Sequence, residues 1–211
     1  MIEHLFSTPI CVVDTQGIMF DEVQTEIENA LPKLKELIRK IGDEEYPWIE
    51  ENLQTTFKYL NESGSESYQK ANIINTFNLS NLKELILMVF DSYCKELQIN
   101  SSEFELVESW LNIFEKENFM RAHSHAYPGL ISGVYYYQAH VTCGDIVFEN
   151  PNPIIEYYEG VEKLSPPGTY KIVESKSGRV IIFPAYLKHR VQPNRSDKKR
   201  IGFAFNFRIK K

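Results

Sequence analysis

The sequence predicts a mainly β domain with N-terminal helices, an α+β chain in which helices buttress a jelly roll. Segments with helical periodicity occupy the first half, and about seven or eight short runs rich in branched and aromatic residues follow. Glycine, proline, asparagine and serine separate these runs. Helices followed by many short strands favour a barrel or jelly roll. We expect one domain over residues 1–211, with 1–102 as a mostly helical support and 103–211 as the jelly-roll core.

Two helices are predicted in the support region. Apolar residues recur at helical spacing between Asp21 and Ile41, and Pro32 is expected to kink or restart that helix. A second apolar stripe runs from Leu82 to Leu97 and is predicted to pack on a sheet. Asn81, with Glu84 three residues later, resembles an N-terminal capping arrangement.

Composition limits the function classes. The 211-residue chain has a net charge of −6, which argues against a general nucleic-acid binder because phosphate binding needs a basic surface. Its three cysteines are widely spaced and form no CxxC, so we expect free thiols in a reducing compartment. The N-terminus does not resemble a signal peptide, and no apolar run approaches the roughly 20 residues that span a bilayer. We therefore expect a cytoplasmic protein, in the host cytoplasm if it is viral.

Two of the five histidines, His123 and His125, stand one residue apart in a strand-like run. Side chains at positions i and i+2 of a strand point to one face, so both imidazoles could reach a single metal ion. Imidazole suits iron, zinc, copper and nickel. A His-x-His pair alone is weak evidence, because two ordinary surface or core histidines are the commoner interpretation.

The C-terminal stretch adds a third histidine and a possible cavity. His189 follows a buried-looking strand that ends at Pro184. In the last strand, one face is apolar, and the other begins with Arg200 and continues with small or polar residues: Gly202, Ala204, Asn206 and Arg208. Small residues inside a barrel leave room for a ligand, and an arginine can bind its carboxylate in a bidentate manner. An ordinary edge strand explains the alternation equally well.

Five motifs in order make the pattern more specific. They are His-x-His, "SGVYYY", "GDIVFENP", "FPAYLKHRVQPN" and "KRIGFAFNF", preceded by "SWLNIF". Together they resemble the iron(II)- and 2-oxoglutarate-dependent oxygenases, and in particular a bacterial and tailed-phage group with an HxH...H motif. The N-terminal "LFSTPI" also resembles the opening of that group. The resemblance is strong over Ser109–Phe207 and diffuse before it.

The resemblance implies a double-stranded β-helix, in agreement with the jelly roll, and an iron(II) site. His123 matches the first metal ligand of the family and His189 the last. His125 stands where the family normally has a carboxylate. Either His125 is itself a ligand, which gives a three-histidine site, or it lies beside the metal, and the site then has an open position or borrows a carboxylate such as Asp145.

The resemblance also implies a site for the cosubstrate 2-oxoglutarate. Arg200 matches the basic residue that pairs with its distal carboxylate, and Tyr136 matches a tyrosine that often hydrogen-bonds the same group. Asn112 and Asn206 point into the same interior by strand parity and are further candidates for contact with the cosubstrate or the substrate. Tyr135 and Tyr137 should face the other way and pack.

The implied activity is hydroxylation of a small-molecule or peptidyl substrate. The sequence predicts no membrane partner, the acidic charge disfavours a nucleic acid without excluding it, and a homodimer is a possible assembly. Two alternatives remain at this point. One is a three-histidine cupin-type dioxygenase that does not use 2-oxoglutarate, in which Arg200 would be dispensable. The other is a non-catalytic jelly-roll binding module or virion component.

Overall fold

Two antiparallel sheets form the body of the computed structural model, which describes residues 7–40, 53–57, 72–125, 129–151 and 169–210. The strands are β1 Cys11–Asp14, β2 Arg39–Lys40, β3 Gln54–Thr55, β4 Phe104–Phe114, β5 Met120–His123, β6 Ile131–Gln138, β7 Ile146–Glu149, β8 Tyr170–Val173, β9 Arg179–Pro184, β10 His189–Val191 and β11 Arg200–Ile209. The larger sheet has seven strands in the order β1-β9-β6-β11-β4-β3-β2. The smaller sheet has four in the order β5-β10-β7-β8. The predicted fold class is confirmed.

The predicted strands and the observed ones differ in two respects. β10 is absent from the sequence-based prediction, because its three residues are too few to show an alternating pattern. β2 and β3 lie in the segment predicted as mostly helical support, yet both join the larger sheet. β1 joins it as well and agrees with the sequence, since the run "HLFSTPICVVD" predicts a short strand or two. The expectation that residues 1–211 form a single domain remains a prediction.

The first helix, α1, spans Phe20–Glu36 and is shorter than the predicted segment Asp21–Ile41. It runs through Pro32 without a break, so the expected restart there is wrong. Pro32 lies on the exposed side of the helix, where water can satisfy the carbonyl that loses its backbone partner. The buried residues Val23, Ile27 and Leu34 form the predicted apolar face.

A short helix, α2 (Ile73–Thr76), precedes the long helix α3 (Ser80–Glu96). The predicted cap by Asn81 is wrong, because no side chain of the α3 N-terminus caps it. The carboxylate of Glu26 in α1 does so instead, accepting the backbone N–H groups of Asn81 and Leu82, each at 2.9 Å. An anion at a helix N-terminus satisfies unpaired N–H groups and interacts favourably with the helix dipole. The carboxylate of Glu26 therefore links α1 to the beginning of α3.

The helices pack on one face of the larger sheet, as the alternation in β11 predicts. The apolar face of β11, with Phe203, Phe205 and Phe207 fully buried, lies in one core cluster with α1 and α3. Phe207 stacks on Phe90 of α3 at 3.9 Å between ring centroids. Ile209, expected on this face, is 51% exposed at the end of the strand.

The opposite face of the larger sheet looks towards the smaller sheet. A second apolar cluster lies between them and is built from Tyr136, Ile146, Phe148, Val173, Ile181, Phe183 and Leu187. Tyr135 belongs to the helix-side cluster and Tyr137 packs against it, so the predicted alternation of the three tyrosines is correct. The polar residues of the candidate site therefore lie in the interior between the two sheets.

Candidate active site

The structure brings the three histidines of the motif together. His123 ends β5 and His189 begins β10, and the two residues are direct partners in the antiparallel pair of these strands. His125 lies two residues beyond β5, where its backbone N–H donates to the Ala185 carbonyl at 2.8 Å. One ring nitrogen of each histidine lies within 4.8 Å of the others. Two nitrogens bound to one ion at about 2.1 Å are at most about 4.2 Å apart, so the three rings would have to draw closer together when a metal binds.

Hydrogen bonds orient each imidazole through its Nδ1 atom. Nδ1 of His123 donates to the Arg121 carbonyl and Nδ1 of His189 to the Leu187 carbonyl, both at 2.9 Å. Nδ1 of His125 lies 2.9 Å from the Ser132 hydroxyl and 3.1 Å from Oδ1 of Asn206. Partners at Nδ1 leave Nε2 of each ring for a metal, which is how ligating histidines are usually held.

The electrostatics of the cluster favour neutral imidazoles. Burial lowers the pKa of His123, and burial together with repulsion from His123 lowers the pKa of His125 to about 4. Burial, with repulsion from the other two rings, places the pKa of His189 well below its usual value. A neutral imidazole is the form that binds a metal, so the cluster offers three donors at neutral pH.

Within the described part of the chain, no carboxylate joins the three histidines. Asp145, considered above as a borrowed ligand, instead accepts the backbone N–H of Ser175 at 2.9 Å and interacts electrostatically with Arg200. Three imidazoles with no carboxylate form a donor set that suits iron, nickel, zinc or copper.

Arg200 is a buried cation at the beginning of β11 with only 2% of its surface exposed. Its Nη1 donates to the Gly144 carbonyl at 2.6 Å, and its guanidinium lies 3.9 Å from the centroid of the Phe114 ring. It forms no ion pair with any carboxylate of the described residues, and Asp145 acts on it only at longer range. A buried charge without a counter-charge is costly, so this guanidinium is suited to an anionic ligand.

Tyr136 and Ser175 lie beside this cation. Tyr136 is buried, and although Arg200 lowers the pKa of its hydroxyl, burial raises it more strongly, so the group stays a donor. The hydroxyl of Ser175 lies next to Tyr136, is buried, and has no hydrogen-bond partner of good geometry among the described residues. Such an unpaired hydroxyl is a position that an anionic ligand can satisfy. Sequence reasoning missed Ser175, which lies outside any regular strand.

The two predicted asparagines lie in different surroundings. Asn112 is half-buried on β4 and stands opposite Gly202 of β11, which pairs with Tyr136 on its other side. Asn206 is buried, but its amide contacts His125, Ser132 and Glu108. Asn206 therefore lies behind the histidine cluster, and sequence reasoning missed both Ser132 and Glu108.

Comparisons with known proteins agree with this geometry. A family model described as "Putative 2OG-Fe(II) oxygenase" matches residues 108–206, a segment that contains the three histidines and Arg200. A search of curated protein sequences gives no match. No helix in the described ranges combines the length and apolar character needed to cross a membrane.

Solved structures share the fold at low sequence identity. A prolyl-4-hydroxylase from Pseudomonas putida is 12% identical with a TM-score of 0.55, over 97% of this chain and 94% of that one. A prolyl hydroxylase from Trichoplax adhaerens, in complex with a peptide fragment, is 12% identical with a TM-score of 0.56, over 96% and 84%. HygX from Streptomyces hygroscopicus, with nickel and 2-oxoglutarate bound, is 12% identical with a TM-score of 0.54, over 96% and 83%.

The two-sheet fold, the three clustered histidines and the buried arginine agree with the 2OG-Fe(II) oxygenases, whose family model matches residues 108–206. This match and the shared fold support an iron(II)- and 2-oxoglutarate-dependent dioxygenase.

Proposed function

We propose that this oxygenase is a hydroxylase whose metal ligands are His123, His125 and His189, with Arg200 as the anchor of 2-oxoglutarate. The observation that carries this proposal is the combination of two features on one interior. Three neutral imidazoles converge within 4.8 Å, and a buried guanidinium without an ion-pair partner among the described residues begins β11, the strand that carries Asn206 behind His125. One feature suits a divalent metal, and the other suits a dianion.

The metal would be held by Nε2 of the three histidines, since Nδ1 of each ring is engaged by a protein group. His123 and His189 belong to paired strands and are therefore set by the sheet itself. His125 is set by the hydrogen bond between its backbone and Ala185. Ligands placed by strands are rigid, which limits the rearrangement needed when a metal binds.

The cosubstrate would lie against the inner face of β11. Arg200 would bind its distal carboxylate, and the hydroxyl groups of Tyr136 and Ser175 would donate to the same group. Asn112, opposite Gly202, is placed to contact the cosubstrate or the substrate. Because Arg200 is deeply buried, water would be excluded from its contacts with the carboxylate, and these contacts would be stronger than in solvent.

When iron(II) and 2-oxoglutarate are bound, they couple oxidative decarboxylation of the cosubstrate by O₂ to hydroxylation of a substrate C–H bond. The protein holds the metal, orients the cosubstrate and keeps water from the interior. The related folds include prolyl hydroxylases, one of them with a peptide bound. We therefore propose a small-molecule or peptidyl substrate, and the free thiols of Cys11, Cys94 and Cys143 support a cytoplasmic location.

The test is an anaerobic titration of the apoprotein with iron(II) and then with 2-oxoglutarate. The expected result is the visible charge-transfer band of the chelate, with its loss in His189→Ala. The matched control is His140→Ala, which removes a histidine that lies outside the cluster. Iron binding without the band would favour the cupin-type alternative. Absence of iron binding in the wild-type protein would contradict the proposed ligand set.

A further inference from the structure

Behind His125, three polar side chains form one row across the larger sheet. Asn206 of β11 is the direct cross-strand partner of Ser132 on β6 and of Glu108 on β4. Side chains in such pairs lie close enough for direct contact. The Asn206 Nδ2 donates to the Glu108 carboxylate at 2.8 Å, and the Ser132 hydroxyl donates to Oδ1 of Asn206 at 2.7 Å. The row ends on Nδ1 of His125.

The chemistry of the row gives every hydrogen bond a direction. A carboxylate only accepts, so Glu108 requires the NH₂ group of Asn206 to face it. The amide oxygen of Asn206 must then face Ser132 and His125. Because the single hydroxyl proton of Ser132 points to that oxygen, Nδ1 of His125 must be the donor to both neighbours. His125 is thereby held with a proton on Nδ1 and a free lone pair on Nε2.

The other two histidines do not depend on side chains in this way. Nδ1 of His123 and of His189 each faces the backbone carbonyl two residues earlier. A carbonyl can only accept, so no side-chain substitution reverses these two bonds. His125 alone among the three has partners whose hydrogen-bonding direction a substitution can change. The backbone of Gly129 confines the amide, since a Cβ there would lie 3.1 Å from Cγ of Asn206.

We propose that Glu108, acting through Asn206, is a positioning residue that fixes His125 in the tautomer able to bind the metal through Nε2. The inference rests on the proposed role of His125 as a ligand. Under this inference, the carboxylate of Glu108 contacts neither the metal nor the cosubstrate. It nevertheless determines whether Nε2 of His125 carries the free lone pair that binds the metal. Partners of this kind typically change metal affinity about 10- to 100-fold when they are altered.

The decisive variant is Glu108→Gln, which preserves shape and adds an NH₂ donor. The introduced amide can donate to the amide oxygen of Asn206, which lets Asn206 turn its own NH₂ group towards His125. Nδ1 of His125 would then accept, and its proton would move to Nε2. Long-range ¹H–¹⁵N spectra of the metal-free protein report this tautomer directly, with His125→Gln to assign the signals. We expect the Nδ1–H form in the wild-type protein and a mixed or reversed tautomer in Glu108→Gln.

Two further variants make the test specific. Glu105→Gln is the matched control, because Glu105 lies on the same strand but pairs with Arg208 and does not contact Asn206. It should leave the tautomer of His125 unchanged. The double variant Glu108→Gln with Asn206→Asp moves the carboxylate one position nearer to His125. Aspartate only accepts, so the Nδ1–H tautomer should return.

Nickel(II) binding by calorimetry provides the second measurement. We expect affinity about 10- to 100-fold weaker in Glu108→Gln, recovery in the double variant and wild-type affinity in Glu105→Gln. A wild-type tautomer and wild-type nickel affinity in Glu108→Gln would overturn the inference. Failure of the proposed function looks different: the wild-type protein would bind no metal, or His125→Gln would bind it unchanged, whatever the tautomer spectra of the metal-free variants show.

Discussion

Replacing Arg200 by methionine should separate cosubstrate binding from folding stability. The substitution keeps an unbranched but shorter side chain and removes the charge. In the metal-free and cosubstrate-free protein, the guanidinium has one short hydrogen bond to the Gly144 carbonyl and stacks on Phe114, but it has no ion-pair partner among the described residues. The folded protein therefore holds a desolvated cation that its own carboxylates do not neutralise.

The opposing energies nearly cancel in the absence of ligand. Loss of the cation–π contact costs about 2 kcal/mol and loss of the charge-assisted hydrogen bond about 1.5–3 kcal/mol. Removing the buried charge returns several kcal/mol of desolvation free energy. We expect the unfolding free energy of the apoprotein to change by less than about 2 kcal/mol. Cosubstrate binding should lose about 2–5 kcal/mol, or roughly 30- to 5,000-fold in affinity.

The assay combines urea unfolding with calorimetric binding of 2-oxoglutarate to the nickel(II)-loaded protein. At about 100 times its wild-type Kd, the cosubstrate should stabilise the wild-type protein by about 2.7 kcal/mol. Arg200→Met should lose most of that stabilisation. Arg208→Met is the matched control on the same strand, where the guanidinium bonds Glu105. The reasoning is refuted if Arg200→Met unfolds more easily by over about 4 kcal/mol while it binds 2-oxoglutarate normally.

Three further predictions concern stability. Because burial lowers the pKa of all three cluster histidines, that of His125 to about 4, the neutral rings favour the fold. The apoprotein should be fully stable above about pH 6.5, and His125 should contribute a loss of about 1.4 kcal/mol per pH unit as the pH falls from about 6.5 towards 4, with losses of the same sign from His123 and His189. Urea unfolding should give a shallower slope in His125→Asn, and an equal slope would contradict the origin of the effect. Gly133→Ala would put a Cβ 2.4 Å from the Phe205 ring, whereas in Gly202→Ala the nearest atom would be 3.3 Å away. Denaturant titration of Gly133→Ala should therefore show a loss of unfolding free energy of about 1–3 kcal/mol, and Gly202→Ala should lose less. Glu26→Ala removes the cap of α3 and should cost about 1 kcal/mol in thermal unfolding, whereas an unchanged melting temperature would show that water replaces the cap.

Local patterns predicted most of the fold. β4 and β11 are long enough for alternation to be unambiguous, and the structure places their apolar face on the helices as that alternation indicates. The face of Arg200, Gly202, Ala204 and Asn206 is the interior one for the same reason. Short elements carry too little pattern, which is why β10 was missed although it places His189.

Cross-strand neighbours were not predictable in the same way. Glu108 and Asn206 are 98 residues apart, and their contact depends on the register between β4 and β11. Parity does place Glu108 on the same face as Asn112, and Ser132 on the same face as Tyr136. The sequence therefore identified the face on which these residues lie, but only the register could show that they form one row behind His125.

The same register explains why small residues stand in the middle of β11. Arg200 and Asn206 are about six residues apart, or about 20 Å along an extended strand. The side chains between them on the interior face are those of Gly202 and Ala204, so little protein volume separates the cation from the row that supports His125. A Cβ at Gly202 would already lie 3.3 Å from Val134, and any larger side chain would have to extend into that space. A five-carbon dianion is much shorter than this separation, so the guanidinium of Arg200 and the imidazoles would have to reach over Gly202 and Ala204 to hold the proposed cosubstrate between them. Under the proposed function, these two small residues would therefore matter to the cosubstrate site as well as the charged residue that begins the strand.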